Sequence, residues 1–82
     1  MVITKSRDAR SRAMSLKLGA RILALCEEHG LSQRQLALHA ELDPSYVSRI
    51  IRGLTEPGLA TIGAIGEVFG LTPSQFLDGV TW

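Results

Sequence analysis

Signals for the start and the end of helices recur along this sequence at short intervals. Residues that favour the N-cap position begin three segments, at Ser32, Asp43 and Thr72. Glycines that can end a helix in a left-handed conformation close four segments, at Gly30, Gly53, Gly70 and Gly79. No segment alternates apolar and polar residues as a half-buried strand does. The sequence therefore predicts an all-α fold of five helices.

The same signals predict the limits of the helices. The first helix begins between Ser6 and Ser11 and ends near His29, and the fourth extends from Leu59 to Phe69. Apolar residues at helical spacing predict the core. These residues are Met14, Leu18, Ile22, Leu25, Leu36, Ala37, Ala40, Val47, Ile50, Leu59, Ile62, Ile65, Phe69, Phe76 and Leu77.

The chain of 82 residues is expected to form a single domain over 1–82, with a basic N-terminal extension (1–14, partly helical) and an apolar tail (79–82). It contains neither a membrane-spanning run of apolar residues nor a secretory signal. One cysteine, Cys26, cannot form an internal disulfide and fits a reducing compartment. We therefore expect a cytoplasmic protein that associates with the nucleoid.

Basic charge is concentrated at the start of the chain, although the net charge is only +1. Residues 1–21 contain six basic residues and a single acidic residue, Asp8, whereas residues 58–82 contain only Glu67 and Asp78 as charged residues. A polyanion would meet the basic end of the molecule rather than its average charge. The alternative is that these residues only keep the terminus soluble.

The second and third helices are joined by three residues, Glu41–Asp43. A connection this short predicts a tight, angled helix pair of the helix-turn-helix type. With Val47 and Ile50 facing the core, the third helix presents small polar and basic side chains outward, as reading a DNA groove requires. The outward or flanking residues are Pro44, Ser45, Tyr46, Ser48, Arg49 and Arg52.

The stretch from Leu31 to about Leu77 resembles the Cro/phage-repressor-type (XRE) helix-turn-helix family, and the whole resemblance covers roughly residues 16–78. It depends on five short motifs in register. They are Leu31-Ser32-Gln33, Leu36-Ala37, the helix from Ser45 to Ile50, Arg52-Gly53, and Pro57 ahead of the fourth helix. The resemblance implies a repressor-like domain that binds double-stranded DNA.

The resemblance also implies roles for individual residues. Base contacts are expected from Pro44, Ser45, Ser48 and Arg49, with Arg49 suited to a bidentate contact with guanine. Phosphate contacts are expected from Gln33, Tyr46 and Arg52, and the basic face of the first helix adds Arg10, Lys17 and Arg21. Each has an alternative: a role only in capping for Gln33 and Ser45, packing on a neighbouring helix for Tyr46, and solvated surface for Arg49 and Arg52.

Three departures from the family pattern have structural consequences. Glu41 stands where the turn usually carries glycine, which predicts either a strained left-handed residue or a turn of a different shape. The loop Leu54–Glu56 lacks the basic residues common there, which predicts fewer phosphate contacts. Cys26 and Ile51 replace an arginine–glutamate ion pair, so we expect them to lie close together, with Cys26 structural rather than a redox sensor.

The first helix has a second apolar stripe opposite its core-facing side. The stripe consists of Ala9, Ala13, Leu16, Ala20 and Leu23. We expect a homodimer on a palindromic operator, with Leu16 and Leu23 as interface candidates and the tail residues Val80 and Trp82 as the competing surface. Alternatively, the alanines merely favour a helix and the two leucines are ordinary surface residues.

Two other function classes can be compared with a DNA-binding repressor. An antitoxin-like module would bind a protein partner as well as DNA, and the extra apolar surface is compatible with that alternative. An enzyme is not expected, because Cys26, His29 and His39 lack a further ligand at metal-site spacing and no phosphate-binding glycine loop is present. We therefore expect no catalytic residue, no metal and no cofactor.

Overall fold

The computed structural model describes residues 4–80, with side chains described from residue 8 onward. This part of the chain folds into helices and connecting turns without a strand, which confirms the predicted all-α class. The helices are α1 (Thr4–His29), α2 (Gln33–Ala40), α3 (Pro44–Ile51), α4 (Leu59–Val68) and α5 (Pro73–Phe76). None of the described helices has both the length and the apolar character that crossing a membrane requires.

Local capping defines the N-termini of α2, α3 and α5. The Ser32 hydroxyl accepts a hydrogen bond from the Gln35 backbone N–H at 3.0 Å, and the Gln35 side chain accepts one from the Ser32 N–H at 2.8 Å. Thr72 and Gln75 form the same reciprocal pair at α5. At α3 the Asp43 carboxylate accepts from the Ser45 N–H at 2.7 Å. These contacts confirm the predicted capping motifs, which satisfy N–H groups that have no partner within the helix.

A single apolar core lies between the helices. Its buried members are Leu18, Ile22, Leu25, Cys26, Leu36, Ala37, Val47, Ile50, Ile51, Ile65, Phe69 and Phe76. Two expectations are corrected: Leu59 is 81% exposed because it lies in the first turn of α4, ahead of the inward-facing Ile62, and α1 begins at Thr4, before the predicted interval. Neither glycine nor proline interrupts the chain between Thr4 and Gly19, so the helix continues through the basic segment.

Two glycines allow helices to approach closely. Gly19 of α1 is buried, and a Cβ atom there would overlap the carbonyl oxygen of Ile51 and lie 2.8 Å from its carbonyl carbon. Gly66 of α4 would place a Cβ 3.1 Å from the Leu71 carbonyl oxygen and 3.3 Å from the Phe76 Cβ. By contrast, a Cβ at Gly63 would meet nothing within 4 Å. Close packing thus accounts for Gly66 but not for Gly63.

Cys26 is buried in the same core as Ile51. Burial raises the pKa of the Cys26 thiol above its ordinary value, because desolvation disfavours the thiolate. A buried, protonated thiol behaves as a small apolar side chain and is a poor nucleophile. The structure therefore agrees with a structural Cys26 rather than a redox sensor, while direct contact between Cys26 and Ile51 stays a prediction.

Candidate nucleic-acid interface

The α2–α3 turn sets the direction in which α3 is presented. Glu41 adopts the left-handed conformation, the first of the two predicted alternatives, with φ 58° and ψ 42°. Its N–H donates to the Leu38 carbonyl oxygen at 3.2 Å, and the Leu42 N–H donates to that of Ala37 at 2.9 Å. Leu42 then packs against the core. The chain leaves α2 and enters α3 within three residues, so α3 follows α2 through a tight turn.

One side of α3 is buried and the other is exposed. Val47 and Ile50 are inaccessible to solvent, as predicted, and Ile51 is also buried. The opposite side carries the exposed residues Pro44, Ser45, Arg49 and Arg52, with Ser48 and Tyr46 half-buried between the two sides. The structure thus brings the predicted base-contacting residues onto a single helix that its own core anchors from behind.

Arg49 of α3 and Arg52, the C-cap residue of α3, each have a defined neighbour. The guanidinium carbon of Arg49 lies 5.8 Å from the centre of the Tyr46 ring, one helical turn away. The Arg52 Nε donates to the Ser48 carbonyl oxygen at 3.4 Å. Tyr46 also packs against the core, as its alternative interpretation proposed. Arg49 and Arg52 are both exposed, and each guanidinium group contacts another residue of α3: the Tyr46 ring for Arg49 and the Ser48 carbonyl oxygen for Arg52.

The helix α2 precedes the turn into α3, and its N-terminus begins with two exposed polar residues. Gln33, the predicted phosphate contact, is the first residue of α2, and Arg34 is the second. The first N–H groups of a helix have no intrahelical acceptor and attract anions. Arg34 was not predicted as a contact, although its position next to Gln33 in the sequence was a signal for it.

The basic residues of α1 have different surroundings. Lys17 is exposed, as is Arg10, which lines an apolar groove of about 450 Å³ together with Met14 and Pro57. Arg12, which is not among the predicted contacts, borders the loop that carries Leu54 and Glu56, and the acidic Asp8 borders it too. This loop follows α3 directly, so the first half of α1 places one basic and one acidic residue near it.

Arg21 is half-buried and forms hydrogen bonds with the backbone of the protein. Its Nε donates to the Phe76 carbonyl oxygen at 2.9 Å, and one terminal nitrogen donates to the Gln75 carbonyl oxygen at 3.1 Å. Both carbonyls belong to the last turn of α5, where a cation also complements the helix dipole. The guanidinium thus connects α1 to α5. This structural role accounts for Arg21 without a phosphate contact, and the phosphate contact of Arg21 stays a prediction.

The candidate dimer residues differ in exposure. Leu16 is 55% and Leu23 is 44% exposed. Val80 is half-buried against the core and lines the apolar groove beside Leu77. Trp82 lies outside the described residues. Of the described interface candidates, the two leucines of α1 are therefore more accessible to a second chain than Val80.

Titratable side chains do not assemble into a metal centre within residues 8–80: no group of three or more histidine, cysteine, aspartate or glutamate side chains there could hold an ion. His29 instead lies against the Phe69 ring, with 5.1 Å between the ring centres.

Comparison with known proteins places this geometry in a family. The model of the helix-turn-helix family HTH_3 matches residues 22–76. The HTH-type transcriptional regulator DdrOP3 of Deinococcus deserti is 34% identical over 65 residues, which cover 79% of this chain and 50% of that protein. The immunity repressor protein of Bacillus phage phi105 is 35% identical over 66 residues, covering 80% and 46%. The chain thus spans about half the length of these curated relatives.

Solved structures share the fold. The restriction-modification controller protein C.AhdI from Aeromonas hydrophila has a TM-score of 0.72 and 32% identity, covering 76% of this chain and 94% of that one. The clp gene regulator ClgR from Corynebacterium glutamicum has a TM-score of 0.75 over 82% of this chain and 71% of that one, and its 22% identity supports the fold alone.

Proposed function

Because this chain belongs to the helix-turn-helix family HTH_3, whose relatives named above are regulators and a repressor rather than enzymes, we propose that it binds double-stranded DNA and regulates transcription. The observation that carries the proposal is the exposed side of α3. Pro44, Ser45 and Arg49 lie there, while Val47 and Ile50 fix the helix from behind. A helix held in this way can enter a major groove without rearrangement.

Each residue of the candidate interface receives a proposed role. Pro44, Ser45, Ser48 and Arg49 contact base edges, with the Arg49 fork directed at guanine. Gln33 at the N-terminus of α2 and Arg52 at the end of α3 contact phosphates on either side of the groove. The hydroxyl of Tyr46 and the basic side chains Arg10 and Lys17 supply further phosphate contacts. These outer contacts set the position of α3, and the base contacts read the sequence.

We further propose that the protein acts as a homodimeric repressor on a palindromic operator. Two copies of α3 would then enter successive major grooves about 34 Å apart. Occupancy of the site would block the polymerase. The immunity repressor among the relatives supports this direction of regulation. An additional toxin-like protein partner stays a prediction, because no feature of the described residues identifies one.

Selection of bound duplexes from random DNA, carried out at two salt concentrations, tests the proposal. We expect enrichment of one sequence with two inverted half-sites and weaker binding at higher salt. Arg49→Ala should weaken binding to the enriched duplex by about 1–3 kcal/mol and relax one base preference in each half-site. Arg52→Ala is the matched control, since loss of a phosphate contact weakens binding to all sequences alike. Failure to enrich any sequence would contradict the proposed function.

A further inference from the structure

We propose that Tyr46 is a positioning residue whose aromatic ring holds the Arg49 guanidinium ready to read a base. The inference rests on the proposed function and deepens it, because it assigns the precision of the base contact to a pair of side chains rather than to Arg49 alone. It also gives the ring of Tyr46 a role separate from the phosphate contact proposed for its hydroxyl.

The geometry of α3 supports the pairing. The two residues are three positions apart, so their side chains lie on neighbouring turns of one helix face. The Arg49 guanidinium carbon is 5.8 Å from the ring centre, within the distance at which a cation is attracted to the face of an aromatic ring. Arg49 is exposed, whereas Tyr46 is half-buried and packs against the core. The ring is therefore fixed by the protein, and the mobile partner is the arginine.

A fixed ring limits the conformations of a long side chain before DNA arrives. Arginine loses much rotamer freedom when its guanidinium is held in one bidentate contact. If the ring already holds the guanidinium near its bound orientation, less freedom is lost on binding. Arg52 lacks such a platform, since its Nε is directed at the Ser48 carbonyl oxygen instead. The ring should therefore affect the base preference of Arg49 and leave the contribution of Arg52 unchanged.

A double-mutant cycle on the selected duplex tests the inference. The probes are the highest-affinity duplex from the random selection and its variants at the base that Arg49→Ala relaxes. Tyr46→Phe keeps the ring but loses the hydroxyl, so it should weaken binding to all of these duplexes alike and keep the wild-type discrimination between them. Tyr46→Leu removes the ring and should reduce discrimination by roughly 2- to 5-fold, the fold-change that an exposed cation–π contact represents. In the Arg49→Ala background, Tyr46→Leu should have no further effect on discrimination.

Two controls separate this inference from the proposed function. Tyr46→Leu combined with Arg52→Ala should show additive losses, because those side chains act independently. If Tyr46→Leu fails to fold, NMR of the free wild-type chain provides a second test: ring-current shifts of the Arg49 side-chain protons are expected and should persist in Tyr46→Phe. Absence of these shifts, or additivity of Tyr46→Leu with Arg49→Ala, would overturn the inference while leaving DNA binding intact. Absence of any selected duplex would instead overturn the proposed function.

Discussion

Gly19 shows how a single missing side chain determines the packing of two helices. A Cβ atom at this position would overlap the Ile51 carbonyl oxygen, so Gly19→Ala must push α1 away from the end of α3. We expect the substitution to lower the free energy of unfolding by about 1–3 kcal/mol, as overpacking of a core does. Urea denaturation, monitored by circular dichroism, measures the change.

Gly63→Ala is the matched control for this prediction. A Cβ at Gly63 meets nothing within 4 Å, and alanine stabilises a helix interior by about 0.5–1 kcal/mol relative to glycine. The same substitution should therefore have opposite signs in α1 and α4. Equal effects at the two positions would show that helix propensity, and not the contact with Ile51, determines the result.

Sequence reasoning identified residues whose role is local and missed those whose role depends on a distant neighbour. Ser32, Asp43 and Thr72 were predicted as caps because each bonds a backbone group within three residues. Gly19 gave no such signal, because the reason for it is the Ile51 backbone far along the chain. The basic charge of Arg21 predicted a phosphate contact. Its acceptors lie on α5, 54 and 55 residues further along the chain, and cannot be located without the fold.

At the scale of the element, α5 depends on its contact with α1. A helix of four residues is too short to be stable in isolation, and two of its last carbonyls accept hydrogen bonds from Arg21. We expect Arg21→Ala to lower the free energy of unfolding by about 1 kcal/mol, less than the roughly 1.5–3 kcal/mol of a buried hydrogen bond to a charged group, because both bonds are partly or fully exposed. Because Arg21 is occupied within the protein, the salt dependence of DNA binding should stay unchanged.

Lys17→Ala provides the comparison for Arg21. Lys17 is exposed on the same helix, so its removal should leave the unfolding transition in place. If it contacts a phosphate, the slope of log K against log salt should decrease by about 1. Measuring thermal unfolding and the salt slope for both variants tests the two assignments together. A smaller salt slope in Arg21→Ala would show that Arg21 also contacts a phosphate.

The α2–α3 turn contains a second measurable feature at this scale. Glu41 holds a left-handed conformation, which costs a non-glycine residue about 1–2 kcal/mol. Glu41→Gly should relieve this strain and raise the free energy of unfolding by about 1 kcal/mol, even after the greater entropy of glycine in the unfolded chain. Glu41→Gln removes the charge but keeps the strain, so it should raise the free energy of unfolding much less than Glu41→Gly does. Chemical denaturation of the two variants distinguishes strain from charge.

At the scale of the whole molecule, the fold was predictable from the sequence because the signals for a helix are repeated in each element. The candidate interface was only partly predictable. Capping motifs, helical spacing and the short Glu41–Asp43 connection each indicate a helix-turn-helix. The exposed side of α3 followed from the burial of Val47 and Ile50. The proximity of Arg12 to the loop after α3, and the ring of Tyr46 beneath Arg49, required knowledge of which side chains meet in space.

The assembly proposed for this molecule gives its final prediction. Leu16 and Leu23 are seven residues apart on α1 and both exposed, whereas Val80 packs against its own core. Since Leu16 also packs against Gly53, Leu23→Glu is the cleaner disruption of a two-fold interface along α1. Light scattering should show a shift of this variant from dimer to monomer, with weaker binding to the palindromic duplex.

Leu59→Glu is the control, because Leu59 is 81% exposed on α4, and it should change neither the mass nor the binding. If Val80→Glu were monomeric and Leu23→Glu remained dimeric, the interface would lie at the C-terminal tail. A monomeric wild-type protein would contradict the proposed dimer.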